Sequence, residues 1–370
     1  MPQIVVDLNT KVVPRTQKIW IVHAGRTRNY MAFFKEENAV FLEFPGFDLR
    51  PEQADDDAAI RQRLRYSQAL KANRGLVRED GTPIRLADYR GTPDTDVAVH
   101  LRTMRHLTSR MRPGDLAVVP GRGLAGNVLF GEVRGEFFPT RTVRLPTYPF
   151  ADIPVRSVEW LEERSKIDLP RELIALFEKP PAIAEVQRSD ITDRFFDFAY
   201  QAYLAEGRSW LSIDAPGYDG RDFMSLVPPA QLIAFAIGLY NALDRGQDLA
   251  GKSFDEIILR YYDERTLQDA QLKFASPGRY NLKDRNGDLG RFINVVIALA
   301  MSGALTACGA GVDVTNSKAP PADADGHAAI AQMITTAGQS VGGDALDQAQ
   351  RTGQTAHARL GLQVPARVQR

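Results

Sequence analysis

The amino-acid sequence predicts an α+β protein with two domains and a tail. Three observations predict it: short β-branched runs broken by glycine and proline in the first half, apolar runs of helical period further on, and an end rich in Pro, Ala and Asp. The 370 residues exceed the usual length of one domain. We therefore expect a first domain over residues 15–185, a mostly helical domain over residues 186–312 and a disordered tail over residues 313–370.

The most patterned stretch covers residues 112–138. One β-rich run ends at Val119, a second begins at Asn127, and the cluster Pro120-Gly121-Arg122-Gly123 separates them. Two such runs around glycine and proline predict a hairpin with a wide loop, which we place at the centre of the first domain. A flexible loop on a rigid hairpin is typical of a binding surface.

Other elements follow from local patterns. Strands are predicted at residues 18–24, 38–44 and 155–161 because these runs are rich in β-branched and aromatic types. Helices are predicted at residues 30–36, with Asn29 as a cap, at residues 55–73, and from Asp94 or Thr95 to Met111. The sequence Lys179-Pro180-Pro181 is the predicted domain boundary.

Composition limits the classes of function. Lys+Arg and Asp+Glu are 46 each, so the formal net charge is zero, and a protein held to DNA chiefly by phosphate attraction is usually more basic. The single cysteine, Cys308, excludes an internal disulfide framework and a multi-cysteine zinc site. We predict no cofactor and no metal. The first residues lack a long apolar run, which favours a cytoplasmic protein.

The first half resembles a known family. In order, KIWIVHAG, RNYMAFF, NAVFLEFPGFDL, MRPGDLAVVPGRGLAGNVLFGEVRGEF and PVRSVEWL are similar to the EVE-like, PUA-related domain. In that family the domain is found at the N-terminus of Mrr-type and other modification-dependent restriction proteins. The resemblance covers residues 15–185. It implies a small, partly closed β-barrel with flanking helices, and a cleft that holds a modified or flipped base, or a nucleotide.

Site residues follow from what a flipped base needs, namely an aromatic wall and a few polar groups at its edge. Trp160 is a further candidate for the wall, although its strand pattern favours the core. We predict that Phe47 and Arg122 contact the ligand, and that Trp20 either lines the cleft or packs beneath it. The full predicted set has an aromatic wall of Trp20, Phe44 and Phe47 and polar contacts from Arg26, Asn29, Arg122 and Asn127.

The second part carries no complete catalytic motif, and no catalytic residue is predicted. Asp219 and Gln271-Leu272-Lys273 superficially echo the metal-binding elements of the nuclease that often accompanies the EVE-like domain. The long stretch between them includes a proline pair and an apolar helix, where a nuclease core has neighbouring strands. Lys273 also lies in a polar run of helical appearance. These observations argue against a nuclease.

Residues 292–312 contain no charged residue and approach the roughly 20 residues needed to span a bilayer. Lys283, Arg285 and Arg291 precede them and favour a cytoplasmic N-terminal side. Two interpretations stay open: a helix that spans the inner membrane, and a buried helix of the second domain.

We expect a prokaryotic sensor of the antiviral-defence type. Its EVE-like domain recognises a modified base of DNA or a small nucleotide, and its helical region serves as a non-nuclease effector, as a membrane tether or as the contact for a partner effector protein. Two alternatives remain open: a soluble, modification-dependent component of a restriction system that binds DNA, and a PUA-like protein that binds RNA.

Overall fold

A computed structural model describes residues 4–91, 97–178, 181–273, 278–284, 287–319 and 324–369. The chain divides into two compact units. Thr16–Ala199 form one, here called the central unit, and Met1–Arg15 together with Tyr200–Arg370 form the other, here called the terminal unit. The α+β class is confirmed, with a curled half-barrel sheet among its features.

The strands and helices are numbered along the chain. The strands are β1 (Ile4–Asp7), β2 (Lys11–Val12), β3 (Ile19–Val22), β4 (Ala39–Phe41), β5 (Leu116–Pro120), β6 (Asn127–Val133), β7 (Arg141–Val143), β8 (Ile153–Ser165), β9 (Ile183–Val186), β10 (Ala202–Ala205), β11 (Arg208–Ala215), β12 (Leu267–Lys273), β13 (Gly278–Asp284), β14 (Val312–Thr315) and β15 (Arg367–Gln369). The helices are α1 (Met31–Glu36), α2 (Asp57–Asn73), α3 (Ala98–Arg105), α4 (Arg171–Leu176), α5 (Phe195–Ala199), α6 (Val227–Asp244), α7 (Phe254–Tyr261), α8 (Asp288–Ser302), α9 (Ala324–Ser340) and α10 (Gly343–Leu360).

The central unit is built on one sheet of seven strands in the order β4-β8-β6-β5-β3-β9, with β7 paired to β8. The long strand β8 pairs with β4 and β7 through its first residues and with β6 through its later ones. The register of β6 and β8 shifts at Gly131, where a Cβ atom would lie 2.3 Å from Val158 and 2.7 Å from Trp160. Glycine is therefore required at this position for the side chains of β8 to pack so closely against β6.

The predicted hairpin is present. Strands β5 and β6 pair in antiparallel register from Leu116 opposite Glu132 to Pro120 opposite Val128, and residues 121–126 form the loop between them. Strand β3 pairs with β5 in parallel, so the hairpin lies in the middle of the sheet.

Of the predicted helix caps, Asp94 and Thr95 lie outside the described residues. Asn29 is not the cap of α1, whose first turn follows Tyr30 without a side-chain cap.

A buried carboxylate joins the hairpin to the first strand of this sheet. Asp115 is 4% exposed, and it accepts hydrogen bonds from the backbone N–H groups of Lys18 (3.0 Å) and Arg112 (2.9 Å) and from the indole N–H of Trp20 (2.8 Å). A buried charge is stable only when it is hydrogen-bonded in this way. The start of β3, the Trp20 side chain and the turn before β5 are thus held at one point.

The central unit extends past the predicted boundary at residue 185. Strand β9 pairs with β3, and α5 then covers the sheet by placing Phe195 and Phe198 each 6.4 Å, centroid to centroid, from Phe130 of β6. Of the predicted boundary sequence, Lys179 and Pro180 lie outside the described residues. The sheet needs the aromatic residues of α5 because Phe130 points away from the main core of this unit.

The terminal unit contains two sheets beside its helices α6 to α10. It contains a five-stranded sheet in the order β12-β13-β11-β10-β2 and a three-stranded sheet in the order β14-β1-β15. The run around Lys273, expected to be helical, is strand β12 and pairs in antiparallel register with β13. Pairing with a neighbouring strand outweighs the weak helical preference of a short polar segment.

The prediction of a disordered tail was also wrong for the described residues. Strand β1 pairs in parallel with β14 and in antiparallel register with β15. Helices α9 and α10 bury a sparse apolar stripe that includes Ile330, Ile334 and Leu346. The Ala-rich composition concealed the stripe, because alanine packs in a core without standing out from a polar background.

Residues 292–312 do not form one helix. Helix α8 ends at Ser302, Gly303 follows in the left-handed conformation with φ 71°, and a short 3-10 segment then leads to β14. The 15 residues of α8 are about 22 Å long, which is less than the roughly 30 Å of a bilayer core. Its residues Leu289 to Ala300 are buried, and the amide of Asn294 donates to the backbone oxygen of Leu8 at 3.1 Å. This contradicts a membrane span here and supports a core helix. Arg285, one of the preceding basic residues, lies outside the described residues.

A different segment has the length and composition of a membrane helix. Within the described residues, Phe223–Asp244 is long and apolar enough to cross a bilayer, and 56% of its most apolar window is buried. That pattern fits the core helix of a soluble protein as well as a membrane-associated one. The inner-membrane location thus stays a prediction that this helix neither supports nor opposes.

We expect a fragment of residues 16–199 to fold alone and to show mixed helix and strand circular dichroism. A fragment of residues 16–185 lacks α5 and exposes Phe130, whose burial stabilises a fold by about 1.5–3 kcal/mol. Urea denaturation of both fragments measures the difference. Equal stability of the two would mean that α5 is not part of the central unit.

We expect Asp115→Ala to lower the free energy of unfolding by about 3 kcal/mol, because it leaves the buried indole N–H of Trp20 and two partly buried backbone N–H groups without an acceptor. Asp80→Ala is the matched control, since Asp80 lies in an exposed turn and accepts from Thr82 of the same turn. Urea denaturation followed by tryptophan fluorescence compares the two variants. A midpoint for Asp115→Ala equal to that of the control would contradict the anchoring role.

Candidate ligand-binding cleft

The central unit contains a cleft of about 700 Å³. Its walls come from the segment after β3, from the end of β4, from α2 and α3, and from the segment after α4. Ligand sites for small molecules have volumes of roughly 300–1,000 Å³. The lining side chains that bear on its chemistry are His23, Arg26, Arg28, Tyr30, Glu43, Phe44, Gln68, Lys71, His100, Thr103, Phe177 and Glu178.

Glu43 is the fixed anion of the cleft. Its Oε1 atom accepts hydrogen bonds from the phenols of Tyr30 (3.0 Å) and Tyr148. The Nζ atom of Lys71 lies 3.5 Å from Oε2 and donates to the backbone oxygen of Glu43 at 3.1 Å. Burial raises the pKa of both tyrosines, and the charge of Glu43 raises it further, so both phenols stay protonated as donors.

Phe44 lines the cleft beside this group, with 7% of the residue exposed. The ring of His100 contacts it edge-on with centroids 5.3 Å apart, and Lys71 Nζ lies 6.0 Å from the Phe44 centroid. Burial lowers the pKa of His100, and the nearby charge of Lys71 lowers it further. His100 is therefore a neutral imidazole at pH 7. Phe44 and His100 thus form an uncharged part of the cleft.

Two cations bind the glycine-rich loop, and one of them, Arg28, also lines the cleft. The guanidinium of Arg28 donates to the backbone oxygens of Gly121 and Phe177, the latter at 3.0 Å. Lys166 Nζ also donates to Gly121, at 2.7 Å, and to the oxygen of Gly123 at 2.5 Å. Burial lowers the pKa of Arg28 and of Lys166, and Arg28 adds to the effect on Lys166. Both side chains are committed to the loop and position the cleft wall.

The structure brings two of the seven predicted site residues into the cleft. Arg26 and Phe44 line it. Trp20 is fully buried with its indole bound to Asp115, so it packs in the core and does not face the cleft. Phe47 was expected to contact ligand but is only 2% exposed, because Gly46 at φ 71° turns the chain back into the core.

The remaining three predicted residues do not line the cleft. Arg122 is exposed in the glycine-rich loop, and Arg28 and Lys166 contact backbone oxygens of that loop. Asn127 donates to Glu163 at 2.7 Å, and Asn29 is exposed. Trp160, the further candidate, donates from its indole to the backbone oxygen of Phe34 at 3.0 Å.

Several lining residues were missed from the sequence. Glu43 was visible as the single acid of an apolar strand, and Gln68 and Lys71 are three apart and so share one face of a predicted helix. His100 gave no such signal. The difficulty is that these residues come from segments far apart in the chain, so that no local pattern groups them.

The residues that echoed a nuclease have other roles. Asp219 accepts from the backbone N–H of Arg221 at 3.0 Å in an exposed turn, and the amide of Gln271 donates to Asp269 at 2.8 Å. Across the part of the chain that the structure describes, no group of three or more His, Cys, Asp or Glu side chains is placed to hold a metal ion.

Comparisons with protein-family models, with curated proteins and with solved structures found no match to this chain. The EVE-like resemblance therefore stays a prediction, and the chemistry of the cleft carries the functional inference.

We expect the pKa of His100 to lie below its ordinary value of 6.5, and Lys71→Met to raise it by removing a repulsive charge. Because the folded pKa is the lower one, the contribution of His100 to stability is complete above about pH 6.5 and is lost as the pH falls through the folded pKa. Histidine NMR titration measures the change.

His106 is the internal control for this titration. Burial lowers its pKa too, but Lys71 is not among the charges that act on it. Its resonance should not move in Lys71→Met. A wild-type pKa of 6.5 or higher for His100 would contradict its burial as a neutral group.

Proposed function

We propose that the central unit is a recognition domain that binds a nucleobase or small nucleotide in this cleft. The observation that carries the proposal is the aromatic ring of Phe44 on the wall of a cleft of about 700 Å³, beside the hydrogen-bonded polar group of Glu43 and Lys71. A base bound outside a stack needs such an aromatic face and a small number of fixed polar groups.

The charge distribution supports a pocket for one base. The chain has a formal net charge of zero, so broad attraction to phosphates is not its main source of affinity. Arg26 lines the cleft and is exposed, and it makes no hydrogen bond or ion pair with the described residues. An arginine so placed suits a phosphate attached to the base.

At the level of the whole chain, we propose a defence-type sensor in which the terminal unit transmits recognition, either as a non-nuclease effector or through a partner effector protein. The similarity of residues 15–185 to the EVE-like domain supports this. A base can reach the cleft on DNA, on RNA or as a free nucleotide. Modified DNA or a free nucleotide fits the sensor, DNA also fits a restriction component, and RNA fits a PUA-like RNA-binding protein.

We expect calorimetry with the full chain to detect binding to at least one of three probes: the four nucleoside 5′-monophosphates, a DNA duplex with or without 5-methylcytosine, and RNA of the same sequence. Phe44→Ala should weaken that binding by about 1–3 kcal/mol through lost stacking. The probe that binds identifies the source of the base.

Two arginines provide the matched control. Arg26 and Arg122 are both exposed and make no ion pair with the described residues, but only Arg26 lines the cleft. Arg26→Ala should weaken binding of a phosphate-bearing probe, and Arg122→Ala should not. Wild-type protein that binds none of the probes would reject the proposed function, and an equal loss in both variants would place the site elsewhere.

A further inference from the structure

Most polar groups of the cleft are already committed to the protein. Glu43 and Lys71 bond to each other, and Arg28 bonds to two backbone oxygens. The hydroxyl of Thr103 donates to the backbone oxygen of Val99 at 2.8 Å. These groups shape the cleft but have little bonding capacity left for a ligand.

Gln68 differs from them. It lines the cleft and is half-buried, and within the described residues its amide makes no hydrogen bond. The neighbouring side chains Ser67 and Leu70 are fully buried and fix this part of α2 in the core. The amide is therefore carried into the cleft on a rigid helix, which suits a specificity-determining contact better than a loop would.

The chemistry of the amide defines what it binds. A glutamine presents one donor and one acceptor side by side, and it pairs in bidentate fashion with a base edge that offers the complementary acceptor and donor. A charged ligand group beside Gln68 gains little from Lys71 or Glu43, because these two side chains already neutralise each other. The base edge that the Gln68 amide would bind is therefore neutral.

We infer that Gln68 is the specificity-determining residue of the cleft, and that it reads a neutral base edge with adjacent donor and acceptor. The inference rests on the proposed function and adds to it a division of roles. Phe44 supplies stacking that is similar for every base, Arg26 meets the phosphate, and Gln68 selects among bases.

The test measures calorimetric affinities of the full chain for AMP, CMP, GMP and UMP, and for the DNA and RNA probes described above. Gln68→Ala should weaken binding of the tightest-binding probe by about 5- to 150-fold. It should also reduce the differences in affinity among the four nucleotides. Gln68→Glu keeps the size of the side chain but removes the hydrogen-bond donor, and it should change the order in which the four nucleotides rank by affinity. A merely structural role would not change that order.

Gln62→Ala is the matched control on the same helix. The Gln62 amide donates to the backbone oxygen of Leu86 at 2.8 Å, and its side chain does not line the cleft. Its affinities and rank order should equal those of the wild type. If wild-type protein binds and Gln68→Ala keeps the same affinities and order, the inference is overturned while the proposed function stands. If wild-type protein binds no probe, both fail.

Discussion

The buried carboxylate of Asp115 is the contact on which the central unit depends. It fixes the start of β3, the indole of Trp20 and the turn before β5 through three hydrogen bonds. Arg156 is buried close by, donates to the backbone oxygen of Met111 at 2.6 Å and is attracted to Asp115, although burial lowers its pKa. Because a buried charge without partners is unstable, this arrangement strongly favours one pairing of β3 with the hairpin.

The cleft follows from that frame. With β3 held beside β5, the segment after β3 passes the glycine-rich loop, where Arg28 and Lys166 both donate to the oxygen of Gly121. Arg28 links the loop to the cleft wall, since it also donates to the backbone oxygen of Phe177, which lines the cleft. The protein satisfies most of the polar groups it places there. The ligand contacts proposed in the cleft are few, namely the ring of Phe44, the guanidinium of Arg26 and the amide of Gln68. Such a limited set suits selection of a small planar ligand better than attraction of a polyanion.

The terminal unit obeys a different constraint, because it is closed by both ends of the chain. Strand β1 lies between β14 and β15, and the side chain of Asn294 links α8 to Leu8 and to the backbone N–H of Ala366. These pairings join segments that lie far apart in the sequence. An effector or partner-binding role proposed for it thus concerns a folded α+β body and not an isolated helical extension.

The sequence by itself determined the elements whose stabilising contacts are local. The hairpin of β5 and β6 and the helix α2, both predicted from local patterns, rest on contacts within a few residues. Only the tertiary structure decided that Phe47 is core, that β12 is a strand, that α8 is too short for a membrane and that the chain end is folded. It also assembled the cleft from distant segments, so that Glu43, Gln68 and His100 meet where Phe44 alone was foreseen on that wall. The physical reason is that pairs such as Val6 with Val314 are selected by packing over long sequence distances, which leaves no periodic signal in either segment.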